Sequence, residues 1–131
     1  MPMFRHHNSL KLQTDFGPPP PDVIVRVRPV DGDSTADHQQ NWRTIIALQR
    51  QGTGTVRCKL FTSYDKLNWF LLNTYEVSGA QDYYEQIGWM DAFGPLIKVT
   101  FAIQANGTDA APTMRASVGI ASDGPFSVVP G

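Results

Sequence analysis

Along most of this chain apolar residues return at every second position, the period of a strand with one face buried. The clearest case is the stretch from Thr55 to Val77. Val56, Cys58 and Leu60 alternate there with Arg57 and Lys59, which makes one face apolar and the other charged. After a polar reversal, Trp69, Leu71, Tyr75 and Val77 fall on one side and Phe70, Leu72, Thr74 and Glu76 on the other, so both sides begin apolar. The pattern predicts a hairpin whose second strand is central in its sheet. The reversal from Ser63 to Asn68 suits a tight turn, because Asp65 can accept hydrogen bonds from its own backbone and Asn68 tolerates a left-handed conformation.

The same period recurs on either side of the hairpin. Val23, Val25 and Val27 alternate with Ile24, Arg26 and Arg28 as far as Pro29; Ile97, Val99, Phe101 and Ile103 oppose Lys98, Thr100 and Gln104; Met114, Ala116, Val118 and Ile120 alternate with Arg115 and Ser117. Trp42 to Arg50 reads as a strand, with a short helix as the alternative. Phe126 to Val129 reads as a last short strand after an Asp123-Gly124-Pro125 turn. Ser78 to Gly94 breaks the alternation with glycines, aspartates and aromatics, and its pattern assigns no element. About eight short strands with turn residues between them predict an all-β chain, a single antiparallel β-sandwich of jelly-roll-like form. Alternation leaves the strand order open.

The first 21 residues differ from the rest. Arg5, His6, His7 and Lys11 precede Gly17 and four prolines, Pro18 to Pro21. A proline run favours extended polyproline and donates no ladder hydrogen bonds, so it predicts an extended arm, with Ser9 to Phe16 as a short edge strand at most. The domain reading is an arm over 1–21, which attaches more than it folds, and a sandwich over 22–131.

Composition narrows the function. A chain of 131 residues fits one domain that buries roughly two-thirds of its unfolded surface. A net charge of -1 and a pI near 6.2 offer no global field to draw nucleic acid or anionic membrane, and neither is expected as a partner. The lone cysteine, Cys58, sits at an inward strand position and reads as a small buried hydrophobe. The start, MPMFRHHNSL, lacks the apolar run of a signal peptide, so export is not expected. Asp31, Asp33 and Asp37 sit at the first, third and seventh places of a calcium-like loop, but the glycine and glutamate that complete one are absent and a solvated turn is the better reading. Asp37 and His38 have no nucleophile motif to serve, and His6 with His7 supplies too few ligands for a metal. No catalytic activity, cofactor or metal is expected. Asn106-Gly107-Thr108 reads as a turn.

The remaining constellation is aromatic. Tyr64, Trp69, Tyr83, Tyr84, Trp89 and Phe93 suit either a core and protein interface or a sugar-stacking platform, with Asp82, Glu85, Gln86 and Asp91 near enough to serve the latter. Arg5, His6, His7 and Phe16 on the arm, with Tyr83, Tyr84, Trp89 and Phe93, are the candidate interface residues.

Ser63-x-Asp65-x-x-x-Trp69 at a strand turn resembles hairpins of small β-sandwich virion proteins of tailed phages, in which S-x-D-G-x-x-W recurs; here Lys66 stands at the glycine's place. The segments Gly94 to Phe101 and Ala116 to Ser122 look like the rest of that layout, so the resemblance spans roughly residues 55 to 122. It implies a capsid decoration, or cementing, protein on the outside of the virion, assembled in the host cytoplasm. Such a protein bridges neighbouring major capsid protein subunits, as a homo-oligomer, dimer or trimer. The same turn also occurs in carbohydrate-binding sandwiches, which makes a glycan-binding module the alternative.

Overall fold

The computed structural model describes residues 7–29, 42–90 and 95–130, with the backbone alone for 7–12, 27–29, 42, 86–90 and 121–130. The described chain is all-β. Its strands are β1 (His7–Gln13), β2 (Val23–Pro29), β3 (Trp42–Gln51), β4 (Thr55–Ser63), β5 (Phe70–Val77), β6 (Tyr83–Met90), β7 (Leu96–Gln104) and β8 (Thr113–Pro130). Trp42 to Arg50 is thus a strand rather than a helix, and the segment to which alternation assigned nothing contains β6.

All pairings are antiparallel and they form two layers. One runs β1-β8-β3-β6 and the other β2-β7-β4-β5. This interleaving of first with last strand is the order of a jelly roll, in which two Greek keys wrap into a double sheet. The long β8 joins the layers: it pairs with β3 up to Ser122 and with β2 from Phe126 onward. Asp123-Gly124-Pro125 therefore marks no turn between strands. It is the point where one continuous strand of 18 residues passes from one layer to the other, and proline is tolerated at such a transition because no ladder bond is required of it.

The core fills the space between the layers. Ile46 and Leu48 of β3 and Met114, Ala116, Val118 and Ile120 of β8 meet Val56, Cys58 and Leu60 of β4, Tyr75 and Val77 of β5, and Ile97 and Val99 of β7. Nearly every one is an inward position of the period-two pattern. One polar contact crosses the same space, with the hydroxyls of Thr44 and Tyr75 3.2 Å apart.

Two expectations about the hairpin are corrected. Its second strand, β5, is an edge strand, paired among the described residues with β4 alone. A bulge also shifts the register: Leu60 opposes Asn73 and Phe61 opposes Leu71. Leu72 is the extra residue and packs toward the core. Leu71 is thereby turned away from the side of Tyr75 and Val77 and is 54% exposed. The two-sided apolar start of β5 reflects exposed side chains at a sheet edge, not burial on both faces.

The N-terminal segment is extended, and its strand belongs to the sandwich. β1 runs beside β8 from Ser9 to Gln13, and reciprocal backbone bonds of Gly17 with Met114, at 3.0 and 3.1 Å, carry the attachment on toward the prolines. At this same end of the sandwich Gly54 has φ +123, and a Cβ there would stand 2.4 Å from the Gln104 carbonyl oxygen. Only glycine fits that approach of two turns.

Candidate interaction surface

The turn between β4 and β5 is built from its own polar side chains. The Ser63 hydroxyl accepts from the backbone N–H of Asp65 and Lys66, at 3.2 and 2.9 Å, and donates to Asp65 Oδ1 at 3.1 Å. Asp65 in turn accepts from the backbone N–H of Leu67 and Asn68, at 2.9 and 2.8 Å, and from the Asn68 side-chain amide at 2.7 Å. These donors favour the carboxylate and hold its pKa well below the usual range, the Asn68 and Leu67 backbone bonds first among them. The expected capping role of Asp65 is therefore present. The left-handed residue is Lys66, with φ 67, rather than Asn68. Lysine sits where the resembling hairpins carry glycine, and the backbone there adopts the conformation that glycine favours.

This clamped turn displays apolar side chains. Tyr64 is 67% exposed, Leu67 83% and Phe70 60%. Lys98 on the neighbouring β7 places its Nζ 4.5 Å from the Trp69 ring centroid and 4.9 Å from that of Phe61, so a cation lies over the aromatic base of the tip. Monomeric domains seldom expose several large apolar groups on one hydrogen-bonded turn, which makes this turn the candidate interaction surface.

The residues singled out from sequence are more dispersed. Tyr83 is exposed on β6 and donates to Glu85 Oε2 at 2.5 Å, a bond that raises the phenol's pKa. Tyr84 points the other way: it packs on the core, its ring centroid 6.1 Å from that of Tyr75. Alternation within β6 explains this, since neighbours on a strand face opposite sides. Phe16 lies under the Arg115 guanidinium, 4.2 Å from ring centroid to cation. The register sets Arg115 and Tyr83 on either side of Gln49, so Phe16 and Tyr83 share the outer face of the β1-β8-β3-β6 layer, away from the β4–β5 turn. Trp89 is on β6 opposite Arg43 and His7 opens β1, both known by backbone only. Arg5, His6, Phe93 and the whole Asp31 to His38 loop lie outside the described residues. Sequence reasoning counted Tyr64 and Trp69 among the aromatics but passed over Leu67 and Phe70. The signal that could have found them was apolar residues inside a turn already fixed by Ser63 and Asp65.

A cleft of about 340 Å³ at the opposite end is lined by Arg50, Gly54, Gly79 and Gln104 among others. Arg50 there donates to the Gly54 and Gly79 carbonyls, at 2.6 and 2.7 Å, and to Asp82 at 2.8 Å. Its guanidinium ties turns together rather than addressing a ligand. Asn106-Gly107-Thr108 is a turn as expected, closed by the Asp109 N–H on the Asn106 carbonyl at 3.0 Å. Among the described residues no group of three or more His, Cys, Asp or Glu side chains is placed to hold a metal. Compared with known proteins, the chain matches no family model and no curated protein at a significant level.

Proposed function

We propose that this protein is a structural virion protein that decorates a tailed-phage capsid and stabilises it by bridging neighbouring major capsid protein subunits. The observation that carries the reading is the rigid turn with Tyr64, Leu67 and Phe70 displayed to solvent. A turn locked by Ser63 and Asp65 loses little conformational freedom on docking, so the burial of its apolar groups goes largely into affinity. The jelly-roll order supports the reading without deciding it, because that architecture serves both capsid and lectin domains. The tip carries the exposed rings of Tyr64 and Phe70, but the oxygens of the neighbouring Asp65 are held by donors of its own turn, which favours a protein partner over a sugar. A sugar face calls for exposed aromatic rings beside carboxylates, whereas aliphatic Leu67 and Leu71 suit an apolar hollow in a protein.

On this reading the protein sits on the capsid exterior as a dimer or trimer, after assembly in the host cytoplasm. Capsids with and without the protein test it: decorated particles should rupture at higher temperature, and a glycan array should show no specific binding. Specific saccharide binding together with unchanged capsid robustness overturns the proposal in favour of a glycan-binding module.

A further inference from the structure

The tip continues into the outer face of the β2-β7-β4-β5 layer, and the strand register assembles that face in rows. Ile24, Lys98, Phe61 and Leu71 lie in one row, and Thr100, Lys59 and Thr74 in the next. Beyond them come Ala102, Arg57 and Glu76, while Arg26 lies toward the tip. Glu76 is the sole carboxylate at these outward strand positions among the described residues, and it is paired with Arg57 at 3.3 Å. At the tip, Asp65 has both oxygens turned onto donors of its own turn. These donors are neutral, so Asp65 keeps its charge, and Asp22 lies exposed just before β2; against these two carboxylates stand Arg26, Lys59, Lys66 and Lys98, which leaves the face and tip a positive excess although the whole chain has a net charge of -1.

We infer that this face and the tip dock together on a capsid surface whose complementary feature is an apolar hollow rimmed by Asp and Glu carboxylates. The inference rests on the capsid reading and names the chemistry of the partner's side. Leu67 and Leu71 enter the hollow, and Lys59, Lys98 and Arg26 meet the rim. Half-buried cations around apolar anchors divide the work: the rim accelerates encounter and makes it salt-dependent, and the buried anchors slow release. Single-stranded nucleic acid fits the same face less well. Lys98 covers the Phe61 and Trp69 rings on which bases would stack, and Leu67, the most exposed of the large apolar side chains described, offers no stacking surface.

The test is binding of the full-length protein to purified undecorated capsids, measured from low to high salt. Leu67→Ser and Lys59→Glu are compared with Ile45→Thr on the outer face of the opposite layer, after thermal melting has shown each variant folded. Leu67→Ser should weaken binding by about tenfold or more, chiefly through faster release. Lys59→Glu should slow association by a similar factor and flatten the salt dependence, and Ile45→Thr should bind as wild type. Capsid binding by the wild type that neither Leu67→Ser nor Lys59→Glu reduces overturns the inference and leaves the capsid reading standing. Absence of wild-type binding overturns both. Tight, salt-sensitive binding of a single-stranded oligodeoxynucleotide, lost in Lys59→Glu, overturns the inference by assigning the face to nucleic acid.

Discussion

Arg50 and Asp82 meet at 2.8 Å with unequal exposure, the arginine side chain being 5% exposed and the aspartate 70%. Their backbones are joined as well, the Arg50 N–H donating to the Asp82 carbonyl at 2.9 Å. The guanidinium draws its support from the Gly54 and Gly79 carbonyls as much as from the carboxylate. Arg50→Ala should therefore destabilise the domain by about 3 kcal/mol, because two turn carbonyls lose their donors and a void opens. Asp82→Asn should cost less than about 1 kcal/mol, since an exposed carboxylate is screened by water. Denaturant unfolding of the two variants measures both, and equal losses would show that the ion pair, not the carbonyl clamp, holds the turns.

Lys66 holds a left-handed backbone at φ 67, a conformation that disfavours an L-residue by about 1 kcal/mol relative to glycine. Lys66→Gly should raise the melting temperature, because the turn geometry is retained and the strain relieved. A lower melting temperature would mean that the lysine side chain contributes more to the turn than its backbone conformation removes.

The clamp on Asp65 is sensitive to acid. Its pKa is lowered by the turn's donors in the folded protein, so the unfolded chain binds the proton first as pH falls. The stability it contributes is complete above the ordinary carboxylate value of about 4 and drains away as pH drops below it. Trp69 sits at the base of the turn, and its fluorescence should report the loosening. Asp65→Asn should remove that acid dependence. An acid transition unchanged in the variant would place the responsible group elsewhere.

Burial pushes the Cys58 thiol up from 9.0 to about 12. The unfolded chain releases this proton near the lower value and the native chain near the higher. The contribution to stability is thus full below pH 9.0 and lost as pH rises toward about 12. Cys58→Ala should show a shallower alkaline decline than wild type, measured as unfolding midpoints on both sides of that window. In the native protein the thiol should resist a disulfide reagent until the domain unfolds, and prompt modification would contradict its burial.

The N-terminal segment offers a direct contrast between the two ways of reading the chain. As a proline-marked arm it should be dispensable, but β1 covers one edge of β8, and the Thr14 hydroxyl accepts from the Ala116 N–H at 2.9 Å. Deleting residues 1–16 should lower the melting temperature by several degrees and promote aggregation through the uncovered β8 edge. An unchanged, cooperative transition would return the segment to a purely attaching role.

The all-β character and most of the core were determined by sequence alone. Val56, Cys58, Leu60, Ile97, Val99, Met114, Ala116, Val118 and Ile120 are buried where a period of two places them, because a pleated strand offers alternate residues to opposite faces whatever its neighbours. The Ser63 and Asp65 turn was legible for the same reason, its hydrogen bonds being local. Only the tertiary structure decided what depends on which strand lies beside which. The jelly-roll order, the edge position of β5, the passage of β8 between layers at Asp123-Gly124-Pro125 and the incorporation of β1 all rest on pairings between distant residues, which periodicity does not encode. The same holds for the candidate surface. Leu67 and Phe70 look like core residues by type, and it is their place on the turn and at the start of β5, which among the described strands pairs with β4 alone, that leaves them in solvent.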